Sequence, residues 1–167
     1  MPEYDVLNYI PPKNVYGILA APPCTEFSLA KNAQPRNFEE ALKVVNACLY
    51  IIQQCRLQNT LKFWALENPV GYLRQFLGRP HYTFEQWQFG EKKIKRTDIW
   101  GYFNDPVPTI KDRPSDLIRI SPKGRYNARD WSKMNCPPEY IHLKLDRGAL
   151  RAITPPGFAT AFFRANH

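Results

Sequence analysis

The chain has 167 residues, of which 44% are hydrophobic and 14% aromatic, with 16 prolines. This composition fits one globular domain with much irregular loop rather than a disordered chain, and no apolar run approaches the roughly 20 residues that span a bilayer. The formal net charge of +8 directs attention to a polyanionic partner, most simply nucleic acid held through its phosphates.

Taken in order, residues 5–10 read as the tail of a strand or a short helix, ended by Pro11-Pro12. Residues 15–21 make a short apolar run suited to a buried strand, and Pro22-Pro23 stops it. Two fixed φ angles and two missing backbone donors exclude regular helix or central strand at that point. Cys24 follows at once, so its thiol is presented at a stiff strand end and is a candidate nucleophile. The competing reading is a small buried hydrophobe without chemistry. In an open α/β sheet, loops leaving the carboxyl ends of strands line the ligand crevice.

Residues 28–35 read as a polar loop. Asn37 then reads as the N-cap of a helix, with Glu40 reaching back to complete a capping box. Leu42, Val45, Leu49 and Ile52 recur at helical spacing, which predicts a helix of about five turns with Cys48 and Cys55 in the core. Residues 62–66 (Lys-Phe-Trp-Ala-Leu) predict a second buried strand. Strand, helix and strand make a βαβ unit, parallel and right-handed, so the loops carrying Cys24 and Glu67 are expected to leave the same sheet edge.

Residues 71–77 read as one or two helical turns, and residues 82–89 as an aromatic-rich strand. Gly90 marks a turn, Lys92-Lys93-Ile94-Lys95-Arg96-Thr97 reads as a basic loop, and residues 98–103 return as a strand to close a hairpin. Basic residues among aromatics suit a groove that tracks a nucleic-acid backbone; an ordinary charged hairpin tip is the alternative. Residues 104–138 lack periodicity and read as an extended loop or small irregular lobe anchored by Trp131. At the end, Thr154 as N-cap and Pro155 at N1 open a helix whose stripe of Phe158, Ala161, Phe162 and Ala165 docks on the core.

Cys24, Cys48, Cys55 and Cys136 show no C-x-x-C spacing, and His81, His142 and His167 stand singly, so no metal site is expected. The first residues carry neither a basic nor an apolar leader segment, so a cytoplasmic location with free thiols is expected. No G-x-G occurs anywhere in the chain. Pairing Cys24 with His81 as a hydrolase has no supporting motif.

Pro22-Pro23-Cys24-Thr25 after one strand, Glu67-Asn68-Pro69-Val70 after the next, Trp87 to Gly90, Lys95 to Trp100 and the closing Thr154-Pro155-Pro156-Gly157-Phe158 form an ordered set. This set resembles the C5-cytosine-specific DNA methyltransferases, most closely their short phage and bacterial type. The resemblance runs from about Val15 to Asn166 and implies an α/β, partial Rossmann-like, S-adenosylmethionine-dependent methyltransferase fold. A parallel βαβ core would be followed by a hairpin and a C-terminal helix. The whole chain would then be a single truncated catalytic domain, with an α/β core over 1–103, an irregular region over 104–150 and the terminal helix over 151–167.

The resemblance implies a DNA (cytosine-5-)-methyltransferase-like protein in which Cys24 adds covalently to carbon 6 of cytosine. That addition makes carbon 5 enamine-like and able to accept a methyl group from S-adenosylmethionine. Glu67 would neutralise charge near N3, and a basic residue, Arg96 or else Lys95, would steady the base or lower the thiol pKa. Pro22, Pro23 and Asn68 are the implied cofactor contacts, and Lys92, Lys93 and Lys95 the implied contacts to double-stranded DNA, with the base flipped from the stack. The chain departs from the family in offering Lys93-Ile94-Lys95-Arg96 in place of Gln-x-Arg-x-Arg, and in having no glycine-rich cofactor loop. It therefore reads as lacking the amino-terminal cofactor half, with a homodimer or a partner chain covering the exposed sheet edge. The alternative is a non-catalytic nucleic-acid-binding remnant or half of a split methyltransferase.

Overall fold

The computed structural model describes residues 5–31, 34–119, 138–145, 149 and 152–167. In chain order the elements are β1 (Gly17–Ala20), α1 (Phe38–Leu57), β2 (Phe63–Pro69), α2 (Arg74–Leu77), β3 (Tyr82–Glu85), a 3-10 turn (Gln86–Phe89), β4 (Lys93–Ile94), β5 (Arg96–Tyr102), β6 (Ile118–Arg119), a second 3-10 turn (Pro138–Leu143) and α3 (Pro156–Asn166). The fold is α/β. Its main sheet is mixed and runs in the order β1-β2-β5-β3, while β4 and β6 form a separate parallel pair.

β1 and β2 are parallel and joined through α1, as the βαβ reading expects. β5 is antiparallel to both β2 and β3 and lies between them. Burial accounts for this placement. Ile99 and Trp100, neighbours on β5, are both buried, and because successive side chains point to opposite faces, β5 needs cover on both. β3, only 4 residues long, takes the edge.

The two faces have separate cores. On one, Val45 and Cys48 of α1 pack with Phe27, Leu66, Leu73 and Trp100. On the other, Phe158 and Phe162 of α3 pack with Ala65, Phe84, Phe89, Ile99 and Phe103. The alternation Ala65/Leu66 therefore assigns Glu67 to the α3 face and Asn68 to the α1 face. The outer edge of β1 pairs with no described strand, and Leu19 is 72% exposed there. Among the described residues no helix is long and apolar enough to cross a membrane.

Several boundaries differ from the sequence expectations. Residues 5–8 form a turn closed by Asn8 N donating to Asp5 O at 2.9 Å, neither strand nor helix. Asn37 does cap α1, its Oδ1 accepting from Glu40 N at 3.1 Å, but the reciprocal half of the box is absent. The Asn37 N–H instead donates to Glu26 Oε2 at 2.8 Å, and Glu40 pairs with Lys43. β2 continues through Pro69, so Glu67 and Asn68 lie on a strand and not in a loop. The aromatic strand stops at Glu85, because Gln88 Oε1 accepts from the Glu85 N–H at 2.7 Å and turns the chain.

Lys93–Ile94 form β4 and Arg96–Thr97 begin β5, with Lys95 between them, instead of one basic loop. α3 starts one residue later than expected: Pro155 occupies the N-cap position, and its carbonyl accepts from Ala159 N at 2.9 Å. Cys48 and Cys55 are buried, as expected. Trp131 and Cys136 lie outside the described residues.

Candidate functional site

The site is built where β1 ends beside β2. Ala20, the last residue of β1, stands in register with Leu66, and β2 continues three residues further, through Pro69, paired there with β5. Pro22 is buried, Pro23 is exposed and Cys24 is half-buried. The Cys24 carbonyl accepts from Phe27 N at 3.0 Å and Ser28 N at 2.8 Å, which folds residues 24–28 into a single turn beneath the thiol-bearing residue. Cys24 is thus on a tight, backbone-bonded turn and not in the core.

Three contacts tie this turn to the segment that follows Glu67. Asn68, fully buried, donates from Nδ2 to the Pro22 carbonyl at 3.1 Å. Tyr72 N donates to the Phe27 carbonyl at 2.8 Å, and Ser28 pairs with Gly71 in an antiparallel bridge. Gly71 permits this approach: a Cβ there would stand under 3.0 Å from the Phe27 carbonyl oxygen. The Asn68 Oδ1 and the buried Thr97 Oγ1 have no hydrogen-bond partner among the described residues.

Glu67 sits opposite Ile99 on β5. Burial pushes its carboxyl above the ordinary glutamate value of 4.5; the charge on Lys95 opposes this and that on Asp98 adds to it. The shift makes the protonated carboxyl, the form that can donate to a ring nitrogen, easier to reach than in a solvated glutamate. Asp98 itself is fully buried on the other face, where Arg74 grips it with Nε to Oδ2 at 2.6 Å and Nη2 to Oδ1 at 2.6 Å, and Thr83 Oγ1 donates at 2.7 Å. This group fixes α2 to the sheet immediately after the Glu67 segment.

The basic residues are distributed differently from the expectation. Arg96 is exposed and alternates with Thr97, so its side chain lies on the sheet face opposite Glu67. Lys95, expected as a DNA contact, is the basic group that acts on the Glu67 carboxyl. Lys92 is exposed and paired with Asp116 at 2.8 Å. Lys93 pairs through its backbone with Ile118. His81 pairs with Asp105 at 2.8 Å and stacks edge-on against Phe103, so its described contacts lie away from the Cys24 turn.

The structure also brings in residues that sequence reasoning did not single out. Arg36 donates to the carbonyls of Glu26, Ser28 (3.0 Å) and Lys31 (2.7 Å). Its guanidinium lies 4.4 Å from the centre of the Tyr72 ring. Glu26 accepts from Lys31 at 2.6 Å, and that bond, with the one from Asn37 N, holds its carboxyl below the ordinary range. Side chain to backbone contacts of this kind leave no periodic signal; the one visible hint was a glycine two residues beyond Pro69. Compared with known proteins, the chain matches no family model and no curated sequence.

Proposed function

We propose that the protein acts on cytosine in double-stranded DNA as a DNA (cytosine-5-)-methyltransferase-like protein, and that this chain carries the base-activating step. Cys24, as thiolate, forms the bond from Sγ to carbon 6. The carbon 5–carbon 6 double bond opens, and the electron pair shifts through the ring onto N3, which takes the Glu67 proton. Carbon 5 is left enamine-like and nucleophilic. The observation that carries this reading is the parallel pairing of β1 and β2, with Asn68 bonded to the Pro22 carbonyl. It sets a cysteine turn and a carboxyl of raised pKa at one end of the sheet. The target base must leave the duplex stack to reach them, and the chain's net charge of +8 supports phosphate binding.

S-adenosylmethionine is the methyl donor that the resemblance implies, but Pro22, Pro23 and Asn68 do not make a site for it. Asn68 is fully buried and its amide donates to Pro22, which leaves Pro23 as the exposed member. No step through the donor follows from these residues. This favours a second reading, half of a split methyltransferase or a DNA-binding remnant. The outer edge of β1, which pairs with no described strand and where Leu19 is exposed, is where a partner chain would add strands.

Exchange of the cytosine C5 hydrogen separates the readings. In D2O, addition at carbon 6, deuteration of carbon 5 and elimination of the thiolate replace that hydrogen without any donor. The wild-type chain is expected to label duplex cytosine, and Cys24→Ser to lose the labelling while binding the duplex equally well. Binding without labelling in the wild type would leave only the DNA-binding reading.

A further inference from the structure

We infer that Arg36 is a positioning residue for the Cys24 turn, resting on the reading of Cys24 as the nucleophile. A guanidinium presents five N–H donors in a rigid planar fork, and here that fork spans three carbonyls of the segment after Cys24: Glu26, Ser28 and Lys31. The neighbouring Asn37 N–H binds the Glu26 side chain at 2.8 Å, so the same segment is held to the start of α1 at two consecutive residues. α1 is itself anchored on the sheet through Val45 and Cys48.

The guanidinium also lies over the ring of Tyr72, whose N–H binds the Phe27 carbonyl at 2.8 Å. One side chain therefore joins the segment that follows Cys24 to the segment that follows Glu67. Arg36 is half-buried and its described hydrogen bonds are to backbone carbonyls, an arrangement that sets loop shape. Lysine, a point charge on a flexible stem, cannot reproduce it. Arg36 acts on the reaction through the position of Cys24 and not by touching the base.

The test uses Arg36→Ala and Arg36→Lys in the full chain, with two independent readouts. The first is hydrogen exchange at the Phe27 and Ser28 amides, which bond to the Cys24 carbonyl. Both variants are expected to lose protection there about tenfold, while amides of β2 and β5 stay protected. The second is the rate of covalent adduct formation between Cys24 and a duplex containing 5-azacytosine, in which the ring nitrogen at position 5 takes a proton after thiolate addition. Both variants are expected to slow this about 10²-fold, the scale of a misplaced reacting group, with duplex affinity within a few-fold of wild type. Methylguanidinium added to Arg36→Ala is expected to restore part of the rate.

Arg36→Lys keeping the wild-type adduct rate would overturn the inference, since charge alone would then suffice. Unchanged exchange at Phe27 and Ser28 would overturn it equally. A loss of protection throughout the sheet in both variants would also refute it, showing a general structural role. Absence of adduct in the wild type would instead count against the function of Cys24, and the exchange data would still decide the role of Arg36.

Discussion

Gly71→Ala tests the junction on which the site depends. Gly71 is not among the residues with positive φ, so alanine fits its backbone, and in open space the change would stabilise by about 0.4–1 kcal/mol through the unfolded chain. Here the new Cβ would stand under 3.0 Å from the Phe27 carbonyl oxygen and 3.2 Å from its carbon. Both obstacles are backbone, so neither can rotate away. The segments after β1 and β2 must separate, which lengthens the 2.8 Å bond from Tyr72 N to Phe27 O and opens the Ser28–Gly71 bridge. Overpacking together with a lost buried hydrogen bond costs about 2–4 kcal/mol, more than the entropic gain. In a chain of 167 residues this lowers Tm by about 5–15 °C. Urea unfolding followed by tryptophan fluorescence measures it, with Cys24 alkylation by iodoacetamide as the local readout. A variant within about 0.5 kcal/mol of wild type and with an unchanged alkylation rate would show that the two segments are not in close contact.

Two further predictions concern the carboxyl and the core. Because burial raises the Glu67 pKa in the fold, its contribution to stability is fully present below the unfolded glutamate value and is lost as pH rises through the folded one. Glu67→Gln removes that loss, so the variant is expected to be more stable than wild type at neutral pH and equal to it near the acid limit, as measured by Tm against pH. A variant less stable than wild type at pH 7 would contradict the assigned burial. Phe158 stacks on Phe84 with ring centres 4.3 Å apart and planes within 4°, and it is buried against Phe89. Phe158→Ala is expected to cost about 3–5 kcal/mol in urea unfolding. A loss under 1 kcal/mol would mean that α3 does not cap that face.

Much of the site's frame was legible in the sequence. The double proline ended β1, the Asn37 cap and the 3.6-residue stripe located α1, and the second apolar run located β2, parallel to β1. Those features are local or have a short repeat. What escaped was set by non-local contacts. β5 enters between β2 and β3 because both its faces are covered, and each half of that cover comes from a different, distant helix. The buried grip of Arg74 on Asp98 joins residues on α2 and β5 that no spacing relates. Arg36 reads in sequence as one more cation in a basic chain; its carbonyl contacts become visible only once the turn after Cys24 is folded. That Lys95 and not Arg96 acts on the Glu67 carboxyl has the same origin, since neighbouring residues of an extended chain point to opposite faces.

The measurement that bears most directly on the central claim is the intact mass of the protein after incubation with a duplex containing 5-azacytosine, followed by peptide mapping. The expected product is a covalent protein–DNA species with the DNA attached at Cys24, absent in Cys24→Ser and slowed in Glu67→Gln. Duplex binding without any adduct, or an adduct that maps to another residue, would contradict it.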